Sequence, residues 1–367
     1  EDDEDIRTRI KWVAFKQQFF ASILIADEAF TNAVLKSKSI DNTSRYIQNF
    51  SAEMSIPYGS KQKETFGLNY FFGPNHYNSL KKYSKMDEQE YLDLERIIPL
   101  GWGFFLMHWI NRFAVIPVFN FLERYISNYG IIILILTILL KIVLFPFTYK
   151  SYQSTAKMRV LKPQIDEINK KIPKEKAMER QKATMDLYKK VGVSPAGGCL
   201  PMLLQFPILI AMFRFFPASI ELRQKSFLWA EDLSTYDSIM QLPFSIPAYG
   251  DHVSLFCLLM AATNIVYTVM NNKMNPMQTS QMPGMKTMMY LMPVMFLVWF
   301  NNYASGLSYY YFIATLMTMG QMLLIQRFVD DDAILKKLEA AKKKPVKKSK
   351  WQERIEQMQK QQLKGKK

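Results

Sequence analysis

Long apolar runs alternate with charged segments along this chain. The runs fall at residues 130–149, 200–216, 252–270, 287–303 and 306–328. A helix of about 20 residues is about 30 Å long, the thickness of a bilayer's hydrocarbon, so five such runs predict five membrane spans. Core helices of a soluble protein would need caps and polar faces that these runs lack. Between the first two runs, Met158, Leu161, Ile165 and Ile168 recur at helical spacing. Met178, Met185 and Tyr188 mark a second helix after Lys174-Glu175-Lys176. This pattern predicts an antiparallel helical hairpin over residues 151–191. Its tip is charged and each arm has only a thin apolar stripe, so it is expected to be weakly anchored and mobile.

Ahead of the spans the pattern changes. Residues 1–98 mix strand-like alternation, as in Lys11-Trp12-Val13-Ala14-Phe15, with polar loops such as Phe72-Gly73-Pro74-Asn75. Residues 11–25 are β-prone and read as the closing part of a sheet whose other strands are absent. Residues 99–129 begin rich in Trp and Phe but include Arg112, Glu123, Arg124 and Pro117. A helix lying in the membrane surface suits them better than a sixth span. Packing as a soluble amphipathic helix on the preceding segment is the alternative. The first residues, Glu1-Asp2-Asp3-Glu4-Asp5, lack an initiator Met and are expected of a processed or truncated product.

Charge orients the spans. The chain carries a formal +15, distributed as −1 over residues 1–129, +7 over 150–199, −2 over 213–251, +2 over 271–286 and +8 over 327–367. By the positive-inside rule, the second, fourth and fifth of these segments are cytoplasmic and the first and third lie outside. The 271–286 loop holds four methionines and no acid, either an adaptable apolar surface or ordinary packing beneath the bundle. The tail, residues 329–367, includes Lys342-Lys343-Lys344 and Lys347-Lys348 and is expected to be disordered or a frayed helix. Anionic lipid and RNA phosphates are both attractive surfaces for it, and charge alone does not choose between them.

Candidate chemistry is sparse. Cys199 and Cys257 show no metal-ligand spacing, and His76, His108 and His252 are scattered, each expected as an interfacial polar residue. No Walker-type phosphate loop is present, and no span holds a Ser/His or His/Glu pair, so neither enzyme activity nor a cofactor is expected. The one charge inside the first span is Lys141. It lies about 12 Å from the cytoplasmic end of that helix. A mid-helix Lys costs about 2.5 to 3.5 kcal/mol on insertion scales. Snorkelling to the interface is one explanation, and a wet site inside the membrane suits the depth better. A solute or ion transporter would also use such a Lys, but those folds usually show repeated halves, and none is evident here.

The run from Gly130 through Lys141 into Tyr149-Lys150-Ser151-Tyr152 and on to Ile165 resembles the second transmembrane segment and following loop of the YidC family of membrane protein insertases. Val193-Ser194-Pro195-Ala196-Gly197-Gly198-Cys199-Leu200-Pro201 is similar to the family's N-P-x-G-G-C-x-P segment. Gln205-Phe206-Pro207, Glu221-Leu222-Arg223, Met292-Pro293-Val294, Ser305-Gly306-Leu307 and Tyr310-Tyr311 follow in family order. Phe15-Lys16-Gln17-Gln18-Phe19-Phe20-Ala21 resembles the end of the periplasmic domain of Gram-negative members. The family's intramembrane cation is usually Arg, and Lys141 stands at that position without the bidentate fork.

The resemblance implies a membrane all-α fold, a five-helix core with a cytoplasmic helical hairpin. The remnant of a β-rich periplasmic domain precedes that core, and the first transmembrane helix and most of that domain are missing. It implies a bacterial inner-membrane location and a hydrophilic groove open to cytoplasm and lipid, lined by Lys141, Thr137, Gln205, Tyr310 and Tyr311. Phe206, Leu209 and Trp299 match substrate-contact positions, with ordinary helix packing as the alternative for each. The implied partners are nascent membrane proteins, the ribosome through Lys342, Lys343, Lys344, Lys347 and Lys348, the Sec translocon, and anionic lipids.

Overall fold

The structure is a computed structural model that describes residues 2–40, 44–59, 64–87, 90–100, 105–173, 176–193, 200–274 and 285–342. It divides into two compact units, Glu1–Leu136 with Pro207–Phe256 and Phe300–Tyr309, and Thr137–Phe206 with Cys257–Trp299 and Tyr310–Lys367.

The first unit begins with β-structure. Strands β1 (Asp2–Ile6), β4 (Asn32–Ser39) and β5 (Gln48–Ser55) form one antiparallel sheet in the order β1-β4-β5, and β2 (Ile10–Lys16), β3 (Phe20–Phe30) and β6 (Leu68–Pro74) form a second in the order β2-β3-β6. The alternation over residues 11–25 is the β2–β3 hairpin, in register with Val13 opposite Leu24 and closed by the Gln17 N–H on the Phe20 carbonyl. Along β3, Ala21 and Ile23 point inward with the two-residue period of a strand. Only Thr31 separates β3 from β4, so the chain changes sheet at one residue. A short helix, α1 (Tyr77–Tyr83), follows. Next comes the Leu94–Ile97 turn, where the buried Glu95 accepts from the Tyr91 hydroxyl at 2.6 Å.

Residues 105–122 form α2 (Phe105–Ile110) and α3 (Ile116–Leu122) joined by a π-helical stretch at Asn111–Val115. Pro117 has no N–H for the ladder, and the π-turn just before it absorbs the mismatch without ending the helix. Trp109, Phe113, Phe121 and Tyr125 stand exposed. On the buried side, Asn111 donates to the carbonyls of Leu100 and Ala211.

The helices that follow are α4 (Tyr129–Val160), α5 (Lys162–Lys171), α6 (Ala177–Val191), α7 (Leu200–Ala218), α8 (Leu255–Met274), α9 (Met285–Phe300), α10 (Ser305–Phe328) and α11 (Asp331–Lys342). Among the described residues, two stretches are long and apolar enough to cross a membrane, Tyr129–Val160 and Leu255–Lys273, and Leu203–Ala218 and Thr287–Phe300 are shorter apolar helices. Two features were not anticipated from the sequence. His252 and Val253, assigned to the start of the third span, instead end strand β8 (Gly250–Val253), which forms a hairpin with β7 (Met240–Ile246). His252 within it is buried and stacked on Tyr236 at 3.8 Å, not interfacial. Asp237 beside it caps α8, accepting from the Leu255 and Phe256 N–H groups.

The first arm of the hairpin begins as a continuation of α4, which runs past Tyr149 to Val160, and after a turn at Leu161 it resumes as α5, with Pro163 in its first turn. The hairpin is not weakly anchored. Met158, Leu161, Ile165, Leu187, Tyr188, Val191 and Val193 enclose Leu338 of α11, with Ile334 packed alongside. Asp330 caps α11 through the N–H groups of Asp332 and Ala333, and Arg159 pairs with Asp331 at 2.7 and 2.9 Å. The first part of the basic tail is therefore a docked helix. The 271–286 loop largely lies outside the described residues.

Candidate functional site

Lys141 sits in the fourth turn of α4 with its side chain only 6% exposed, while its neighbours Ile142 and Val143 are 60% and 69% exposed. That polarity is inverted relative to a soluble helix, which turns its apolar stripe inward. The same inversion runs through the second unit, where Phe147, Leu203, Val266, Leu291 and Leu323 are exposed and polar side chains are enclosed. An exterior of that kind fits hydrocarbon, and the enclosed polar groups must find partners within the protein.

The enclosed groups cluster about Lys141. Thr137 lies one turn earlier on the same face of α4 and is buried. Lys141 Nζ donates to Thr318 Oγ1 at 2.6 Å and to Gln205 Oε1 at 3.4 Å. The first is a short charge-assisted bond and the second is at the limit of hydrogen bonding. Thr318 in turn donates to the Ala314 carbonyl at 2.7 Å, and the Tyr152 hydroxyl reaches the Thr318 carbonyl at 3.5 Å. On α10, Tyr311, Thr315 and Thr318 are spaced i, i+4, i+7 and so share a face. Among the described residues no carboxylate lies in ion-pair range of Lys141. Among the described residues its two acceptors are neutral oxygens, which solvate the ammonium without cancelling its charge.

Of the residues singled out from sequence, Lys141, Thr137 and Tyr310 are buried, and Gln205 and Tyr311 are partly so. Phe206 and Trp299 are 55% and 62% exposed, on outward-facing surface, and Leu209 is half-buried. Lys342 ends α11, and Lys343, Lys344, Lys347 and Lys348 lie outside the described residues, as do residues 194–199 of the Gly-Gly-Cys segment. Thr318 was missed. The polar spacing of Tyr311, Thr315 and Thr318 along one face was the available signal. Among the described residues no cluster of His, Cys, Asp and Glu is placed to hold a metal.

Several other motif residues make contacts within the first unit. Arg223 stacks over the rings of Phe19 and Phe20 at 5.5 and 5.2 Å, Glu221 lies 3.5 Å from His76, and Gln18 donates to the Pro217 carbonyl. Gly306 donates to the Leu233 carbonyl, and a Cβ there would sit 2.9 Å from that oxygen, so only glycine fits without a shift.

The family model described as 60Kd inner membrane protein matches residues 121–332, more than half of the chain, and the model of the YidC periplasmic domain matches residues 1–113. The chain belongs to the YidC family. A relative from Parabacteroides distasonis named membrane protein insertase YidC is 53% identical over 364 residues, covering 98% of this chain and 57% of its own length. YidC proteins of the same name from Bacteroides fragilis and Porphyromonas gingivalis are 50% and 45% identical, each covering 99% of this chain and 59% of the relative. The chain thus spans under two thirds of the length of these YidC relatives. A solved structure described as an active YidC insertase with its first transmembrane domain resolved covers 87% of this chain and 64% of that one. At 24% identity and a TM-score of 0.44, the likeness is too low to bear on the fold. The YidC family has a mostly helical core and a β-rich N-terminal region, as this chain does.

Proposed function

We propose that this chain is the core of a membrane protein insertase of the bacterial inner membrane, which moves polar flanks of nascent membrane proteins across the bilayer and releases their apolar segments sideways into lipid. The observation that carries this is Lys141, a buried ammonium held, among the described residues, by neutral acceptors, on helices whose outward faces are apolar. Each unsatisfied backbone polar group costs several kcal/mol in hydrocarbon. A hydrophilic groove lined by Thr137, Lys141, Gln205, Tyr310 and Tyr311 shortens that passage, and the uncancelled charge attracts acidic residues of the translocating tail. Partition of the apolar segment into lipid then drives release without nucleotide.

Helices α4, α7, α8, α9 and α10 are the five spans. They contain 32, 19, 20, 16 and 24 residues, and at 1.5 Å per residue even α9 reaches about 24 Å. The charge segregation places the β-rich region in the periplasm and the α5–α6 hairpin and C-terminus in the cytoplasm. Phe206, Leu209 and Trp299 meet the incoming segment. The partners are nascent membrane proteins, the Sec translocon, anionic lipids, and the ribosome, reached by the basic tail and hairpin. The protein acts by binding and release and not as an enzyme. The solute-transporter alternative finds no support in the family match or the relatives.

Site-specific crosslinking tests the groove. A photoreactive residue at position 137 or 311 is expected to crosslink a stalled nascent membrane protein. Crosslinks confined to position 299, with none from 137 or 311, would remove the groove.

A further inference from the structure

We infer that Thr318 is the positioning residue of Lys141, fixing the ammonium as an uncancelled cation aimed at the translocating chain; this rests on the insertase function proposed above. Three observations on α4 and α10 carry it. The Lys141–Thr318 contact, at 2.6 Å, is the shorter of the two bonds made by the ammonium, and both groups are buried. The Thr318 hydroxyl has already committed its proton to the Ala314 carbonyl at 2.7 Å, so only lone pairs face Lys141. Thr318 is neutral, so it solvates the ammonium without cancelling its charge. An Asp or Glu at this position would hold the Lys as firmly and remove its attraction for acidic tails. Gln205, at 3.4 Å, is too distant to take over the role.

The chemistry is a division of labour between a charge and its holder. Lys has a flexible four-carbon stem and no fork to fix its own direction. A β-branched Thr on a helix, with its hydroxyl tied back to the preceding turn, is a stiff acceptor. Without it the ammonium is left with one weak partner and is free to snorkel away from mid-membrane.

The test uses the full-length protein in proteoliposomes and two single-span substrates that differ only in carrying two Asp or two Asn in the translocated tail. The readout is the ratio of their insertion rates. Thr318→Val, which keeps shape and removes the acceptor, is expected to lower the Asp-to-Asn ratio about five- to ten-fold. Thr318→Ser should restore it. In a Lys141→Ala background Thr318→Val should leave the ratio where Lys141→Ala put it. Equal slowing of both substrates in Thr318→Val, or no rescue by Ser, would assign Thr318 to packing and overturn the inference. If Lys141→Ala lowers the ratio and Thr318→Val does not, only the role of Thr318 falls. If Lys141→Ala itself leaves the ratio unchanged, the proposed function falls with it.

Discussion

Glu95 and Lys141 are both ionisable groups shut away from solvent, and their surroundings differ in kind. Burial pushes the Glu95 carboxyl up. The Tyr91 hydroxyl at 2.6 Å, its own backbone N–H, Ser84 Oγ at 2.8 Å and the attraction of Arg112 outweigh that, and the net effect holds it below the usual carboxylate value. A carboxyl lowered by folding stabilises the fold at pH above its unfolded value, about 4.3, and that stabilisation is lost as pH falls through the lowered folded value. Glu95→Gln is therefore expected to lower the melting temperature at pH 7 and to flatten its acid limb below about pH 4.3. Melting curves of both proteins between pH 7 and 3 check this, and parallel curves would contradict it. Among the described residues, Lys141 has no carboxylate in ion-pair range. It was legible in the sequence because a lone charge in an apolar run is conspicuous. Glu95 and Thr318 were not, because an acid in a polar loop and a Thr in an apolar helix are ordinary until tertiary contacts single them out.

Helix α11 changes what the helical hairpin is. Sequence periodicity gave two arms with thin apolar stripes, and thin stripes suggested mobility. The missing apolar surface comes from Leu338 and Ile334, which lie nearly 150 residues beyond the hairpin and inside a segment dominated by charge. Contacts over that separation leave no local trace. Leu338→Ala is expected to cost the hairpin about 2 to 4 kcal/mol. The measurement is amide hydrogen exchange along α6, which should accelerate in the variant while α4 residues near Lys141 keep their protection. Unchanged exchange in α6 would mean that α11 docks without stabilising. The β7–β8 hairpin was hidden for a related reason. Its polar residues Asp251 and His252 abut an apolar run, and His252 is buried by stacking on Tyr236 and by bonding to the Asn301 carbonyl, neither of which a hydropathy pattern contains. Helix α4 was legible in type but not in length, because nothing between Tyr149 and Val160 breaks a helix.

At the scale of the whole molecule, segregation of charge carried most of the architecture. Apolar runs marked the helices and alternation marked the β-rich N-terminal region, while the uneven distribution of Lys and Arg predicts which side each segment faces. The docked α11 sharpens the prediction for the tail. Cutting after Val329 would remove both the packing of α11 and the charge of the tail, whereas removing residues 343–367 takes away basic charge and leaves α11 in place. That shorter truncation is expected to weaken ribosome binding and to reduce the salt slope of what remains. Unchanged binding at low salt, with weaker binding to anionic vesicles, would assign the tail to lipid. The central claim is that an uncancelled positive charge within the membrane draws acidic tails across. The most direct measurement is insertion of a substrate with an acidic translocated tail by wild-type, Lys141→Ala and Lys141→Arg proteins. Insertion should fall about ten-fold or more in the Ala variant, the equivalent of about 1.4 kcal/mol of barrier, and largely survive in the Arg variant. Full insertion by Lys141→Ala would contradict the account.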